Sequence, residues 1–153
     1  MKTGRTASLD AYVFKENRQH IIQVPLMADS VRAGFPSPAD DYVEAPLDLI
    51  AHLVPHPSAT FYVRAKGHSM TGAGIFDNDL LIVDRSLSPR SGDVVIAAID
   101  GELTCKWFET GPQGPKLIAA HPHFPPIELN THTCHFWGVV THNIHALRPG
   151  ARP

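Results

Sequence analysis

A serine in a glycine turn and a lysine in a strand are the two residues here with the clearest joint chemical use. Ser69 stands in Lys66-Gly67-His68-Ser69-Met70, directly after the strand candidate Phe61–Lys66. Gly67 permits a tight turn that exposes the hydroxyl and neighbouring backbone N–H groups at the strand end. Position 71 is Thr, so the second glycine of a Gly-x-Ser-x-Gly elbow is missing and an α/β-hydrolase is a poor match. Taken alone, a serine in such a turn is more often a local backbone hydrogen-bonder than a nucleophile.

Lys106 lies in Glu102-Leu103-Thr104-Cys105-Lys106-Trp107-Phe108, just after Asp100-Gly101. Strand periodicity puts Thr104, Lys106 and Phe108 on one face and Leu103, Cys105 and Trp107 on the other; neither face is cleanly polar. Lys106 is either a snorkelling edge residue, the commoner case, or a lysine in apolar surroundings. The second case has a chemistry. A serine hydroxyl is a poor nucleophile until a base takes its proton. An ordinary lysine with a pKa near 10.4 offers only about one neutral amine in 2,500 at pH 7. Burial can lower that pKa by as much as about 3 to 5 and make the amine a general base without histidine or aspartate. Such a site can assemble only when a peptide covers it, which is a physical route to regulated self-cleavage.

Other residues offer competing chemistry. The ten histidines include His52/His56, His121/His123, His132/His135 and His142/His145, with Cys134 inside the third pair. A zinc site can be drawn from them, but the pairs fall in different elements and no C-x-x-C or H-E-x-x-H spacing occurs. A histidine could also serve Ser69 with Asp79 or Asp84 as a Ser-His-Asp set. Asp77 and Asp79, around Asn78, could take a cation or shape a turn by Asx hydrogen bonds. Met70 could line a peptide groove or fill the core. The Ser69 backbone N–H is the candidate oxyanion donor.

The elements that must hold these residues are mostly strands. Leu80–Val83, Asp93–Ile99, Glu102–Phe108, Lys116–Ala120 and Phe136–His142 are candidates, with Ile144–Leu147 a possible last one. Asp100-Gly101 is a strong two-residue hairpin signal. A short helix fits around Leu47–Ala51, before Pro55 and Pro57. Pro- and Gly-rich joints between hairpins predict an all-β, curled, mostly antiparallel domain. It covers 41–148, with an extended N-terminal arm over 1–40 and a tail over 149–153. In Ala33-Gly34-Phe35-Pro36-Ser37-Pro38 the prolines and glycine forbid a long regular element.

Composition narrows the classes. The 153 residues are 43% hydrophobic, enough for one sizeable core but hardly two. Thirteen Lys and Arg against fifteen Asp and Glu are scattered, so strong intrinsic nucleic-acid binding is not expected. Two cysteines make no secreted disulfide framework. No signal-peptide pattern or bilayer-spanning run occurs, so a cytoplasmic protein without membrane attachment is expected.

Read in order, several segments resemble UmuD-type proteins, within the LexA-like family of self-cleaving proteins. They are Phe35-Pro36-Ser37-Pro38-Ala39-Asp40-Asp41-Tyr42-Val43-Glu44, Gly67-His68-Ser69-Met70, Gly74-Ile75-Phe76-Asp77-Asn78-Asp79-Leu80-Leu81-Ile82-Val83-Asp84, Asp100-Gly101-Glu102-Leu103-Thr104-Cys105-Lys106 and Phe136-Trp137-Gly138-Val139-Val140-Thr141-His142. The resemblance spans roughly 24 to 148. It implies a Ser-Lys peptidase fold shared with signal peptidases, Ser69 as nucleophile, Lys106 as base, and a scissile Ala33-Gly34 bond with Val31 as a specificity residue. It implies no cofactor.

The family further implies a homodimer, cleavage stimulated by the RecA-ssDNA filament after DNA damage, and a trimmed product serving a Y-family polymerase catalytic subunit in translesion synthesis. The stretch before Ala33-Gly34 is too short for a repressor's helix-turn-helix domain, which favours the UmuD-type branch. Trp107 stands where the close relative has a second lysine. Two other readings remain: a noncatalytic protein-binding module that has kept the fold, and a signal peptidase, which normally needs a membrane anchor.

Overall fold

The computed structural model describes residues 22–27 and 45–153. The chain divides into two compact units, 1–52 and 53–153. The expected extended arm and the cleavage segment around Ala33-Gly34 fall largely or wholly outside the described residues.

In the first unit, β1 (Gln23–Val24) pairs antiparallel with β2 (Leu47–Asp48) in the register Gln23↔Asp48 and Val24↔Leu47. Helix α1 (Leu49–Leu53) follows at once, with the Ala51 N–H donating to Asp48 Oδ1 at 3.0 Å. Asp48 thus caps the helix at its N-terminus. The helix starts two residues later than the sequence suggests because Leu47 and Asp48 are taken by the strand pair.

The second unit is built on one seven-stranded sheet. Its strands are β3 (Thr60–Arg64), β4 (Leu80–Asp84), β5 (Val94–Ile99), β6 (Glu102–Gly111), β7 (Gly114–Ile118), β8 (Ile127–Glu128) and β9 (Cys134–Ile144). Their spatial order is β3-β4-β9-β5-β6-β7-β8, and every pairing is antiparallel. At the β5–β6 hairpin, Asp100 and Gly101 have φ of 48° and 87°, the left-handed pair that matches the twist of the flanking strands. Ile144 ends β9 rather than opening a strand of its own, and the two-residue β8 carries too little pattern to be read from sequence.

The expectation of a curled domain is overturned: no sheet is closed or strongly curled, and the order runs open from β3 to β8. The cause is visible in how side chains alternate. Ile96 joins one buried cluster with Met70, Ile75, Leu81, Val83 and Ala120, while its neighbours Val95 and Ala97 join another with Phe108, Leu117 and Val139. Period-2 alternation therefore fills a core on each face. A sheet covered on both sides has no single interior to roll around.

Two carboxylates bracket β4. Asp79, 1% exposed, accepts from the Phe76 N–H and Asn143 Nδ2, both at 2.9 Å, and pairs with His145 Nδ1. Asp84, 2% exposed, accepts from the Ser86 N–H at 2.8 Å and Ser86 Oγ at 2.6 Å, and pairs with His56 Nδ1 at 2.7 Å. Burial pushes both carboxyls up, but these hydrogen bonds outweigh it and hold both below the usual carboxylate range. Among the described residues no helix is long and apolar enough to cross a membrane.

Candidate active site

Where β3 ends, the chain leaves the sheet in a closed loop. The Ala65 N–H donates to the Asp79 carbonyl at 2.8 Å and the Asn78 N–H to the Ala65 carbonyl at 2.9 Å, so the loop's two ends are joined. Gly67 turns the backbone with φ 85°, and its N–H donates to Asp77 Oδ1 at 2.7 Å. Asp77 is thus a clamp on the turn before Ser69, whereas Asp79 belongs to the buried network above. Past Ser69, the Ala73 and Ile75 N–H groups both donate to the Met70 carbonyl, at 3.0 and 3.2 Å. The Met70 and Ile75 side chains, 4% and 6% exposed, plug this turn into the core. Met70 also lines the adjacent cavity, so groove and core are one role here.

The β5–β6 hairpin fixes the register Val95↔Lys106. From there Lys106 Nζ reaches Ser69 Oγ at 3.1 Å, Thr104 Oγ1 at 2.9 Å and the Cys105 carbonyl at 3.1 Å. The structure therefore brings Ser69 and Lys106 within hydrogen-bond distance of each other. A cavity of about 260 Å³ opens beside them, with Val63, Met70, Ile75, Leu81 and Ile96 in its wall.

Burial pushes the Lys106 ammonium below the usual lysine range, opposed by the Cys105 thiolate. Burial also pushes the Cys105 thiol up, to about 11, with the Lys106 charge opposing. A neutral amine has two N–H donors and one lone pair. The Cys105 carbonyl can only accept and the Thr104 hydroxyl is free to do so, which leaves the lone pair for the Ser69 O–H. That is the arrangement a general base needs.

Thr104 was not singled out as a partner from sequence, although its position two residues from Lys106 on one strand face was the available signal. The Ser-His-Asp alternative is not what the structure brings together. Asp79 and Asp84 pair with His145 and His56, and among the described residues the side chain bonded to Ser69 Oγ is Lys106. His132, of the His132/Cys134/His135 set, pairs with Asp100 Oδ2 at 2.6 Å. No group of three or more His, Cys, Asp or Glu side chains able to hold a metal forms among the described residues.

Comparison with known proteins places the chain in the same frame. The Peptidase S24-like family model matches residues 25–141. Protein ImpA of Salmonella typhimurium is 48% identical over 126 residues, covering 81% of this chain and 85% of that protein. Protein SamA of Salmonella typhimurium (strain LT2) is 44% identical over 127 residues, covering 81% and 86%. Protein MucA of Escherichia coli is 40% identical over 123 residues, covering 79% and 84%.

Proposed function

The chain belongs to the Peptidase S24-like family and is a self-cleaving serine peptidase of the DNA-damage response; from that premise we propose that Ser69 is its nucleophile, Lys106 its base and Ala33-Gly34 the bond it cuts. The observation that carries this reading is the 3.1 Å approach of Lys106 Nζ to Ser69 Oγ beside a cavity lined by both apolar and polar side chains.

In the reaction, neutral Lys106 takes the Ser69 proton as Oγ attacks the Ala33 carbonyl carbon. The tetrahedral intermediate collapses with Lys106 returning the proton to the departing Gly34 nitrogen, and an acyl-enzyme on Ser69 remains. Water, deprotonated by the same amine, then releases residues 1 to 33. The Thr71, Gly72, Ala73, Gly74 and Ile75 N–H groups are all committed to carbonyls. The Ser69 N–H, outside that set, is the proposed donor to the oxyanion.

The arm over 1–40 is the substrate and the domain over 41–148 the peptidase. The finer partners belong to the same proposal: a homodimer, stimulation by the RecA-ssDNA filament, and a Y-family polymerase catalytic subunit that takes the trimmed product. The basis is the resemblance of the segments quoted above.

Intact-mass analysis after incubation at pH about 9 to 10 tests the assignment, because only the unprotonated amine works. Wild-type protein should yield fragments 1–33 and 34–153, and Ser69→Ala and Lys106→Ala should yield neither. Cutting at the wild-type rate by either variant sinks the dyad, and a product cut elsewhere removes Ala33-Gly34. Gly34→Trp should block cutting with the dyad intact, since a narrow groove that accepts glycine has no room for an indole.

A further inference from the structure

The turn bearing Ser69 is followed by a single 3-10 turn, Thr71–Ala73, whose middle residue meets a distant part of the chain. The Gly72 N–H donates to the Ala120 carbonyl oxygen at 2.9 Å. A Cβ on Gly72 would stand 2.7 Å from that same oxygen and 3.3 Å from its carbon. Its backbone is not among those with positive φ. Glycine is therefore required at 72 by close approach, not by backbone twist. The obstacle is main chain, which cannot swing aside as a side-chain end does.

The partner is well anchored. Ala120 is 8% exposed and shares its buried cluster with Met70 and Ile75, the residues that plug the Ser69 turn into the core. It lies two residues past β7, and β7 pairs with Trp107–Gly111 of β6, the strand that carries Lys106. Most other bonds of the turn are local: Gly67 to Asp77, Thr71 to His68 and Ala73 to Met70. They shape it without tying it to β6. The Gly74 carbonyl, bonded by Asn143 Nδ2 at 3.0 Å, ties its far end to β9. The Gly72–Ala120 contact leads by way of β7 to β6.

We propose that Gly72 is a positioning residue, whose close contact with the Ala120 carbonyl sets the spacing between the Ser69 turn and the strand bearing Lys106. This rests on the assignment of Ser69 and Lys106 as the reacting pair. A methyl group at 72 must push the turn off Ala120. A displacement of about 1 Å at a reacting atom can cost on the order of a hundredfold in rate. It also uncovers the amine, letting water reach it.

The test follows self-cleavage of the full chain against pH, with thermal stability measured in parallel. Gly72→Ala should cut at least tenfold more slowly at the alkaline plateau, and its pH midpoint should move up toward the ordinary lysine value. Gly114→Ala is the control for stability alone. It strains a residue at φ 103° at the tip of the β6–β7 hairpin, with its Cβ 2.5 Å from Asn130 Nδ2, and should leave rate and midpoint unchanged. Should Gly72→Ala not fold, the double variant Gly72→Ala/Ala120→Gly, in which residue 120 can turn its carbonyl away, is measured against the same two criteria. A rate and midpoint equal to wild type overturn the proposal. So does a slower rate with an unmoved midpoint, which marks a loss of folded protein only. Ser69→Ala run alongside separates the two ideas: if it still cuts, the reacting pair is wrong; if it does not, a wild-type result at position 72 removes the positioning role alone.

Discussion

Thr104 Oγ1 lies 2.9 Å from Lys106 Nζ, closer than Ser69 Oγ at 3.1 Å, and the two residues share one face of β6. The threonine holds one N–H of the amine and the Cys105 carbonyl holds another at 3.1 Å. The lone pair is left to point at the serine. An amine at the end of a flexible four-carbon stem has no preferred direction of its own, so direction has to come from these neighbours.

Thr104→Val removes one of the two orienting partners at nearly constant volume. A lost hydrogen bond of about 1 kcal/mol corresponds to roughly a fivefold slower reaction. Thr104→Ser should restore the rate, because the hydroxyl is what acts. Single-exponential cleavage rates of the three proteins at one alkaline pH, read from fragment masses, decide it. A valine variant at wild-type rate removes Thr104 from the machinery.

The pH profile should carry the sign of the Lys106 shift. With Lys106 as the proposed base, reaction needs the neutral amine, so the rate should rise about tenfold per pH step of one, then level off at a midpoint below the ordinary lysine value of about 10.4. Burial, which pushes the ammonium down, sets that direction. Lys106→Arg should be inactive at every pH, since a guanidinium keeps its proton. A midpoint at or above 10.4 contradicts a buried base.

Acid should weaken the fold through Asp79 and Asp84. Their carboxyls are held below the usual range in the folded protein. The stability they contribute is therefore fully present above the unfolded value near 3.9 and is lost as pH falls through the lower folded value. Asp79→Ala leaves the Phe76 N–H and one N–H of the Asn143 amide without their acceptor, at a cost of about 1–3 kcal/mol at pH 7. Thermal melts from pH 7 to pH 2.5 should show the wild-type Tm dropping and converging on that of the variant. Parallel curves would mean that Asp79 does not contribute through its charge.

Gly138 on β9 should tolerate no side chain. A Cβ there would meet Val83 Cγ1 at 2.7 Å and the Asp84 carbonyl oxygen at 2.9 Å, and Val83 is fully buried. Overpacking of this kind costs about 1–3 kcal/mol, which is at least about 4 °C in Tm for a unit near 100 residues. Calorimetry of Gly138→Ala checks this, and an unchanged Tm would show that β4 and β9 can part without cost.

What the sequence held by itself was a candidate chemistry and most of the strands. A lysine on a mixed strand face after Asp-Gly, and a serine after a glycine at a strand end, are local patterns, and so is period-2 alternation. The hairpin needed only the left-handed tolerance of Asp100 and Gly101, which is a property of those two residues. The resemblance to self-cleaving proteins followed from the order of such segments.

Tertiary structure decided everything that depends on which elements lie side by side. The openness of the sheet could not be read from alternation, because an apolar residue on a strand does not declare which face will be covered. Only packing showed Ile96 and Val95 in separate cores. The pairing of Asp79 with His145 and of Asp84 with His56 joins residues far apart in the chain, as does the contact of Gly72 with Ala120. In each case the sequence supplies the groups, and their meeting depends on strand order and register, which are set by the whole sheet.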